Sequence, residues 1–221
     1  MRLANVCLSI FLIICLTSCF EIVEDISFKK NGSGTFKYIL NFSQSKTEIN
    51  SLMRMDSSSG FRIPKIREIN DKLNMVEQTL KNSAGLSNIL VKRDFKNWIF
   101  EIKTDFDNCN NLEKAISNSV IAIDKRSKFI LKDVFNFEGN TMNRKMIEIS
   151  QSDIKNMNKG VASKILSKAV YTSVYRFENT IENFSNKKAR LSASKTAIMH
   201  SCNILKLING KETLLNTINL N

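Results

Sequence analysis

"EIVEDISFKKNGSGTFKYILNF", residues 21–42, sets the fold class. The polar break at residues 31–34 is followed by strict alternation. Phe36, Tyr38, Leu40 and Phe42 point one way, and Lys37, Ile39 and Asn41 point the other. Successive side chains of a strand project to opposite faces, so this period of two predicts a β-hairpin with "NGSG" as its turn.

Beyond Ser43 the period changes. Over residues 65–80 the apolar side chains Ile66, Ile69, Leu73, Val76 and Leu80 are three and four apart, one stripe of a helix, with Pro64 before it and Gly85 after it. Residues 46–55 read as a shorter helical piece, set off by "DSSSG". Alternation returns in "LSNILVKRDFKNWIFEIKTDF", with Trp98, Phe100, Ile102 and Phe106 on one face and Glu101, Lys103 and Asp105 on the other, a second hairpin turning near residues 94–97. A short helix over 112–120 would bury Leu112, Ala115, Ile116 and Val120. "KFILKDVFNF" reads as a strand with Phe129, Leu131, Phe135 and Phe137 in register, turning at "EGNT".

The last third continues the mixture. Residues 152–170 have helical spacing at Val161, Ile165 and Ala169, and Tyr171, Ser173, Tyr175 and Phe177 then alternate before a polar loop, "ENTIENFSNKKAR". In "AIMHSCNILKLINGKETLLNTINL" the pair Asn209 and Gly210 suits a type I′ turn between two strands. Hairpins separated by single helices predict an α+β fold, a mainly antiparallel sheet of several hairpins with helices packed on one face. Two helical insertions between paired strands would fit a split-βαβ arrangement.

Ahead of the first hairpin the chain has the order of a secretory signal. Arg2 is the one charge, "VCLSIFLIICL" is a short apolar run, and Thr17 and Ser18 are small. The run is short for a permanent span, which needs roughly 20 apolar residues, although a signal anchor stays as the alternative. At its end Leu16, Thr17, Ser18 and Cys19 resemble the lipobox of bacterial lipoprotein precursors. The resemblance covers the first nineteen residues. It implies cleavage between Ser18 and Cys19, a diacylglycerol thioether on the Cys19 sulfur, and often acylation of the new amino group. The plainer alternative is a buried signal cysteine like Cys7 and Cys15. On this reading residues 1–18 are a lipoprotein signal peptide and 19–221 a single mature α+β domain. The mature protein is exported and membrane-anchored in the cell envelope, on the outer membrane of a two-membrane bacterium.

Removing residues 1–18 takes away one basic residue and no acidic one, so the net charge falls only from +12 to +11. Basic balance favours polyanion partners, and export removes nucleic acid, leaving anionic lipid, acidic glycan or an envelope protein. The densest cluster is Lys187, Lys188 and Arg190, a candidate polyanion contact, but scattered lysines are ordinarily a solvated surface.

Catalytic chemistry is sparse. His200 is the single histidine, on a strand face with Ile198, Cys202 and Ile204, where packing is the ordinary role. "DFDNCNN" offers oxygens at Asp105, Asp107 and Asn110, but Asn110 stands where a calcium loop needs Gly and Ile116 where it needs Glu. It reads as a polar loop with Asn110 or Asn111 capping the next helix. Cys109 and Cys202 remain as thiols, and a disulfide between them requires that the fold bring them together. No catalytic residue, metal or cofactor is assigned. The expected function is a membrane-anchored binding or structural module. The alternatives are a glycan hydrolase built on two facing carboxylates, and an amphiphile carrier lined by Phe36, Tyr38, Trp98 and Phe100, rings that otherwise serve as core.

Overall fold

The computed structural model describes residues 20–58, 61–147, 149–159, 163 and 166–221. The signal segment and Cys19 lie outside the described residues, as do Val161 and Ile165.

The first hairpin is β1 (Glu21–Phe28) and β2 (Gly34–Asn41), turning over residues 29–33 as the polar break predicts. The start of β2 needs glycine. A Cβ on Gly34 would stand 2.0 Å from the Ser27 carbonyl oxygen and 2.8 Å from the Phe106 ring. The chain then forms α1 (Lys46–Leu52), the two-residue strands β3 (Ser57–Ser58) and β4 (Phe61–Arg62), and α2 (Ile66–Lys81). The predicted second hairpin is β5 (Leu86–Asp94) and β6 (Ile99–Phe106). α3 (Cys109–Ile123) follows, with Leu112 and Ala115 fully buried. Its N-cap is Asn108, whose side chain accepts from the Asn111 N–H at 2.9 Å, two or three residues earlier than expected.

After α3 come β7 (Phe135–Glu138), β8 (Thr141–Arg144), α4 (Gln151–Met157), β9 (Val170–Phe177), β10 (Ile181–Phe184), β11 (Arg190–Leu191), β12 (Ala197–Asn203), α5 (Ile204–Ile208) and β13 (Asn216–Leu220). Seven strands form one sheet in the order β11-β12-β9-β1-β2-β6-β5, and four form a second in the order β10-β13-β8-β7. Every described pairing is antiparallel except β1 with β9, which are parallel and adjacent. A split-βαβ unit would place a strand between its parallel pair, so that arrangement is excluded. The two sheets face each other across one apolar cluster that joins Ile26, Phe28, Phe36 and Tyr175 of the first to Phe135, Met142, Ile218 and Leu220 of the second. α2 packs on β5 and α3, and α3 packs on β6 and β7. The fold is α+β.

Four local expectations need correction. In the run 128–137 only the last three residues enter a strand. The N–H groups of Leu131, Asp133 and Phe135 are taken instead by Ser117 Oγ at 2.8 Å and the two Glu113 carboxylate oxygens at 2.9 and 2.6 Å. Those α3 side chains occupy the bonds a partner strand would have made. The polar loop 178–190 contains β10, whose Ile181 is buried at the edge of the second sheet. The helix assigned to 152–170 is α4 as far as Met157, and Ser163 and Leu166 are helical again, but Ala169 lies outside any helix, buried in a second apolar cluster.

Asn209 and Gly210 do not form a type I′ turn. Asn209 has φ −84°, and only Gly210 is left-handed, at φ +68°. Lys211 N–H bonds to the Lys206 carbonyl at 2.8 Å and Gly210 N–H to the Leu207 carbonyl at 3.1 Å, the Schellman pattern that closes a helix C-terminus. Asn203 caps the other end through its bond from the Lys206 N–H at 3.0 Å. A five-residue helix between two caps therefore separates β12 from β13, and these strands belong to different sheets.

Candidate functional site

The register of the large sheet puts four rows of side chains on its inner face. One row carries Glu24 on β1, Tyr38 and Ile102 on β2 and β6, and Ser173 and His200 on β9 and β12. Glu24 is in phase with Ile22, Ile26 and Phe28, so alternation drives a carboxylate into the core. Its partner comes from the opposite sheet. Arg144, at the end of β8, has a fully buried side chain and donates from Nε to Glu24 Oε1 and from Nη2 to Oε2, each at 3.3 Å.

Two tyrosines from β9 complete the cage. Tyr171 donates its hydroxyl to Glu24 Oε2 and Tyr175 donates to Oε1, both at 2.6 Å, while Arg144 Nε also donates to the Tyr175 oxygen at 3.0 Å. The third donor nitrogen of Arg144, Nη1, reaches the Lys145 carbonyl, and the guanidinium carbon stands 4.7 Å from the Phe135 ring centroid, a cation–π contact. Burial, and then the Glu24 charge, push the Tyr171 and Tyr175 hydroxyls well above the ordinary phenol range, and the same two causes raise Tyr38. Burial is the largest single effect and acts against the Arg144 charge, but Glu24 together with Tyr175 and Tyr171 more than offsets it and raises the guanidinium above its ordinary range. All three tyrosines of the chain therefore surround one carboxylate. Glu24 with Arg144, Tyr171 and Tyr175 makes a paired, hydrogen-bonded bolt between the two sheets.

The other buried carboxylate among the described residues is Glu113, which accepts the Asp133 and Phe135 N–H groups. Burial raises its pKa and those backbone bonds oppose the rise. Asp105 accepts from Thr35 and Asn88, and Asp107 accepts from Asn108 and Asn111, so the acidic run is tied into the β6–α3 corner. Gly85 approaches that corner so closely that a Cβ would lie 2.3 Å from Asp107 Oδ1.

The basic triplet follows β10 and runs into β11. Lys188 pairs with Glu212 at 2.7 Å, while Lys187 is exposed and Arg190 begins β11. His200 is 5% exposed, and neither ring nitrogen has a hydrogen-bond partner among the described residues. Ser173, Asn186 and Asn216 lie around it. Cys109 and Cys202 are free thiols in different apolar clusters. Phe36 and Tyr38 stack at 6.1 Å, and Trp98, Phe95 and Phe100 form an edge-to-face group with the Trp98 indole donating to Asn50. These rings are packing residues.

The residue that follows Cys19 is already part of the fold. Phe20 is 7% exposed, stacks on Phe42 at 4.9 Å, and accepts the Val170 N–H at 3.0 Å, in an apolar cluster with Ala169, Tyr171 and Ile204. Sequence reading missed Glu24 and Arg144. The signal for Glu24 is a charged residue standing in the apolar phase of a strand, and nothing local marks Arg144.

No protein-family model matches the chain, and no curated protein matches it. Among solved structures, the NMR structure of the folded domain of the Mycobacterium tuberculosis LppM protein is similar over 92% of this chain and 90% of that chain, at 7% identity and a TM-score of 0.41.

Proposed function

We propose that this chain is the precursor of a bacterial lipoprotein, cut before Cys19 and held on a membrane by acyl chains on that residue, whose α+β domain works outside the cytoplasm as a binding or structural module. The observation that carries the reading is the lipobox, Leu16 to Cys19, set directly before a strand that is the structural centre of the large sheet. Each buried acyl methylene contributes about 0.8 kcal/mol and stable attachment takes two chains, which one diacylated cysteine supplies. The protein resides in the cell envelope, on the outer membrane, and meets envelope protein, anionic lipid or glycan there.

A non-enzymatic role is supported by the commitment of both buried carboxylates, Glu24 and Glu113, to structural bonds. A glycan hydrolase needs two free carboxyls about 5 to 10 Å apart in a cleft. Expression in a bacterial host with an inhibitor of lipoprotein signal peptidase should accumulate the longer precursor, and the mature amino-terminal peptide should carry the mass of its acyl chains. An amino terminus cut elsewhere, or a Cys19 without lipid, would overturn the reading.

A further inference from the structure

The lipobox reading places the anchor on Cys19, and Phe20 is already locked in the sheet by its bond from Val170 and its stacking on Phe42. One peptide unit, about 3.8 Å between Cα atoms, therefore joins the acylated residue to rigid structure. A domain tethered so closely has one end of its large sheet against the bilayer. That end contains the start of β1, the end of β2, the β5–β6 turn, the start of β9 and the end of β12 with α5.

The chemistry of this end is basic. Lys96 sits in the β5–β6 turn, Lys168 two residues before β9, Lys206 in α5 and Lys211 just after it, and all four are exposed. Lys159, also exposed, is held nearby because Asn158 and Asn209 exchange reciprocal side-chain bonds at 2.7 and 2.9 Å. None of the five makes an ion pair among the described residues. Of the acids at the same end, Glu212 pairs with Lys188, Glu21 accepts from Thr172 and Asp94 from Asn97, and Glu48 lies on α1.

Geometry puts the lysines on both sides of the anchor. The β6 end of the turn holding Lys96 is two strands from β1 in one direction, and β12, which leads into α5, is two strands away in the other. At about 4.8 Å per strand, each flank lies roughly 10 Å from the tether, a distance comparable to the Debye length of about 8 Å at physiological salt.

We infer that this end of the domain is a membrane-facing surface on which Lys96, Lys159, Lys168, Lys206 and Lys211 contact anionic lipid headgroups and fix the orientation of the tethered domain. The inference rests on the lipoprotein reading and adds to it a defined face and a lipid class. Attachment belongs to the acyl chains, and the lysines set which way the domain points. The opposite end, with Lys29 and Lys30 in the β1–β2 turn, is held about 26 Å away by an eight-residue strand.

The test uses the full lipidated protein, reconstituted in vesicles with or without phosphatidylglycerol and treated with an amine-acylating reagent, with the modified peptides measured by mass. The five lysines should be modified several-fold more slowly on phosphatidylglycerol vesicles than on phosphatidylcholine vesicles, the difference should vanish in high salt, and Lys29 and Lys30 should react alike throughout. Equal modification of the five on both vesicles, with the acyl mass present on Cys19, would overturn the headgroup contact alone. An amino-terminal peptide without acyl mass would overturn the lipoprotein reading and this inference with it.

Discussion

Arg144→Met removes the cationic half of the bolt between the sheets and keeps most of its volume. Glu24 would then remain buried as a charge, with the Tyr171 and Tyr175 hydroxyls at 2.6 Å as its remaining donors. Breaking a buried pair by deleting one partner costs about 3–5 kcal/mol, because an uncompensated charge is left in the core. For a domain of this size each kcal/mol lowers the melting temperature by about 2–4 °C, so a fall of roughly 6–20 °C is expected. Glu24→Leu should cost a similar amount, since it strands Arg144 and deprives both tyrosines of their acceptor. The double variant should cost much less than the two losses added together, because neither charge is left alone. Tyr171→Phe with Tyr175→Phe in that background should recover more, as each orphaned hydroxyl costs about 1–3 kcal/mol. Trp98 is the one tryptophan and is buried, so its fluorescence follows unfolding of detergent-solubilised protein by heat or denaturant. Strict additivity of the two single changes, or single losses under about 1 kcal/mol, would show that Glu24 and Arg144 are not a coupled pair.

Other outcomes follow from the same geometry. His200→Phe should be neutral or stabilising in thermal melts, since it removes two buried nitrogens that lack partners among the described residues; a large loss would reveal a bond that the side chain makes. Gly210→Val should destabilise by about 1–2 kcal/mol and Gly210→Asn by less. No atom stands within 4 Å of a Cβ there, and the cost is backbone strain at φ +68°. Burial pushes the Cys109 thiol up to about 12 and the Cys202 thiol up to about 11, so a disulfide reagent at neutral pH should titrate neither until denaturant is added. Bonds from Asn88 and then Thr35 hold the Asp105 carboxyl below its usual range. Its contribution is thus present above that range and lost as pH falls through it, and Asp105→Asn should make acid unfolding less steep.

The parts of the fold legible in the sequence are those where a local period coincides with the tertiary outcome. The hairpin over 21–42 and the α2 stripe from Ile69 to Leu80 report which side of an element is covered, and covering is what a period encodes, whereas Ile66 is exposed and β9 is buried on both faces from Tyr171 to Tyr175. Where the reading failed, a side chain distant in sequence decided the backbone. Glu113 and Ser117 of α3 capture the N–H groups of the 131–135 segment, and no pattern within that segment could show it. The Asn209–Gly210 pair failed differently. Asn-Gly serves a hairpin or a helix end, and the choice was made by Asn203, which caps a helix six residues earlier. The candidate site divides the same way. The expectation for Cys19 rests on a four-residue context alone, whereas Arg144 acquires meaning only when β8 is laid across β1.

Cys19→Ser separates the two ways this protein can hold a membrane. Without acyl chains, attraction to an anionic surface would come from the lysine-rich end, worth about 1 kcal/mol per lysine close to the headgroups. Five lysines then give at most about 5 kcal/mol, a dissociation constant near 0.2 mM, and salt weakens it further. A binding constant of that order, about 10⁴ M⁻¹, matches a single acyl chain, which holds a protein only reversibly. The variant should therefore leave the membrane fraction at physiological salt, while the parent stays bound through a high-salt wash because acyl burial is not screened. At low salt some of the variant should return to phosphatidylglycerol vesicles, and replacing Lys96, Lys168, Lys206 and Lys211 by Gln should abolish that return. Retention of Cys19→Ser through carbonate extraction would instead mean that the run from Val6 to Leu16 is kept as a signal anchor.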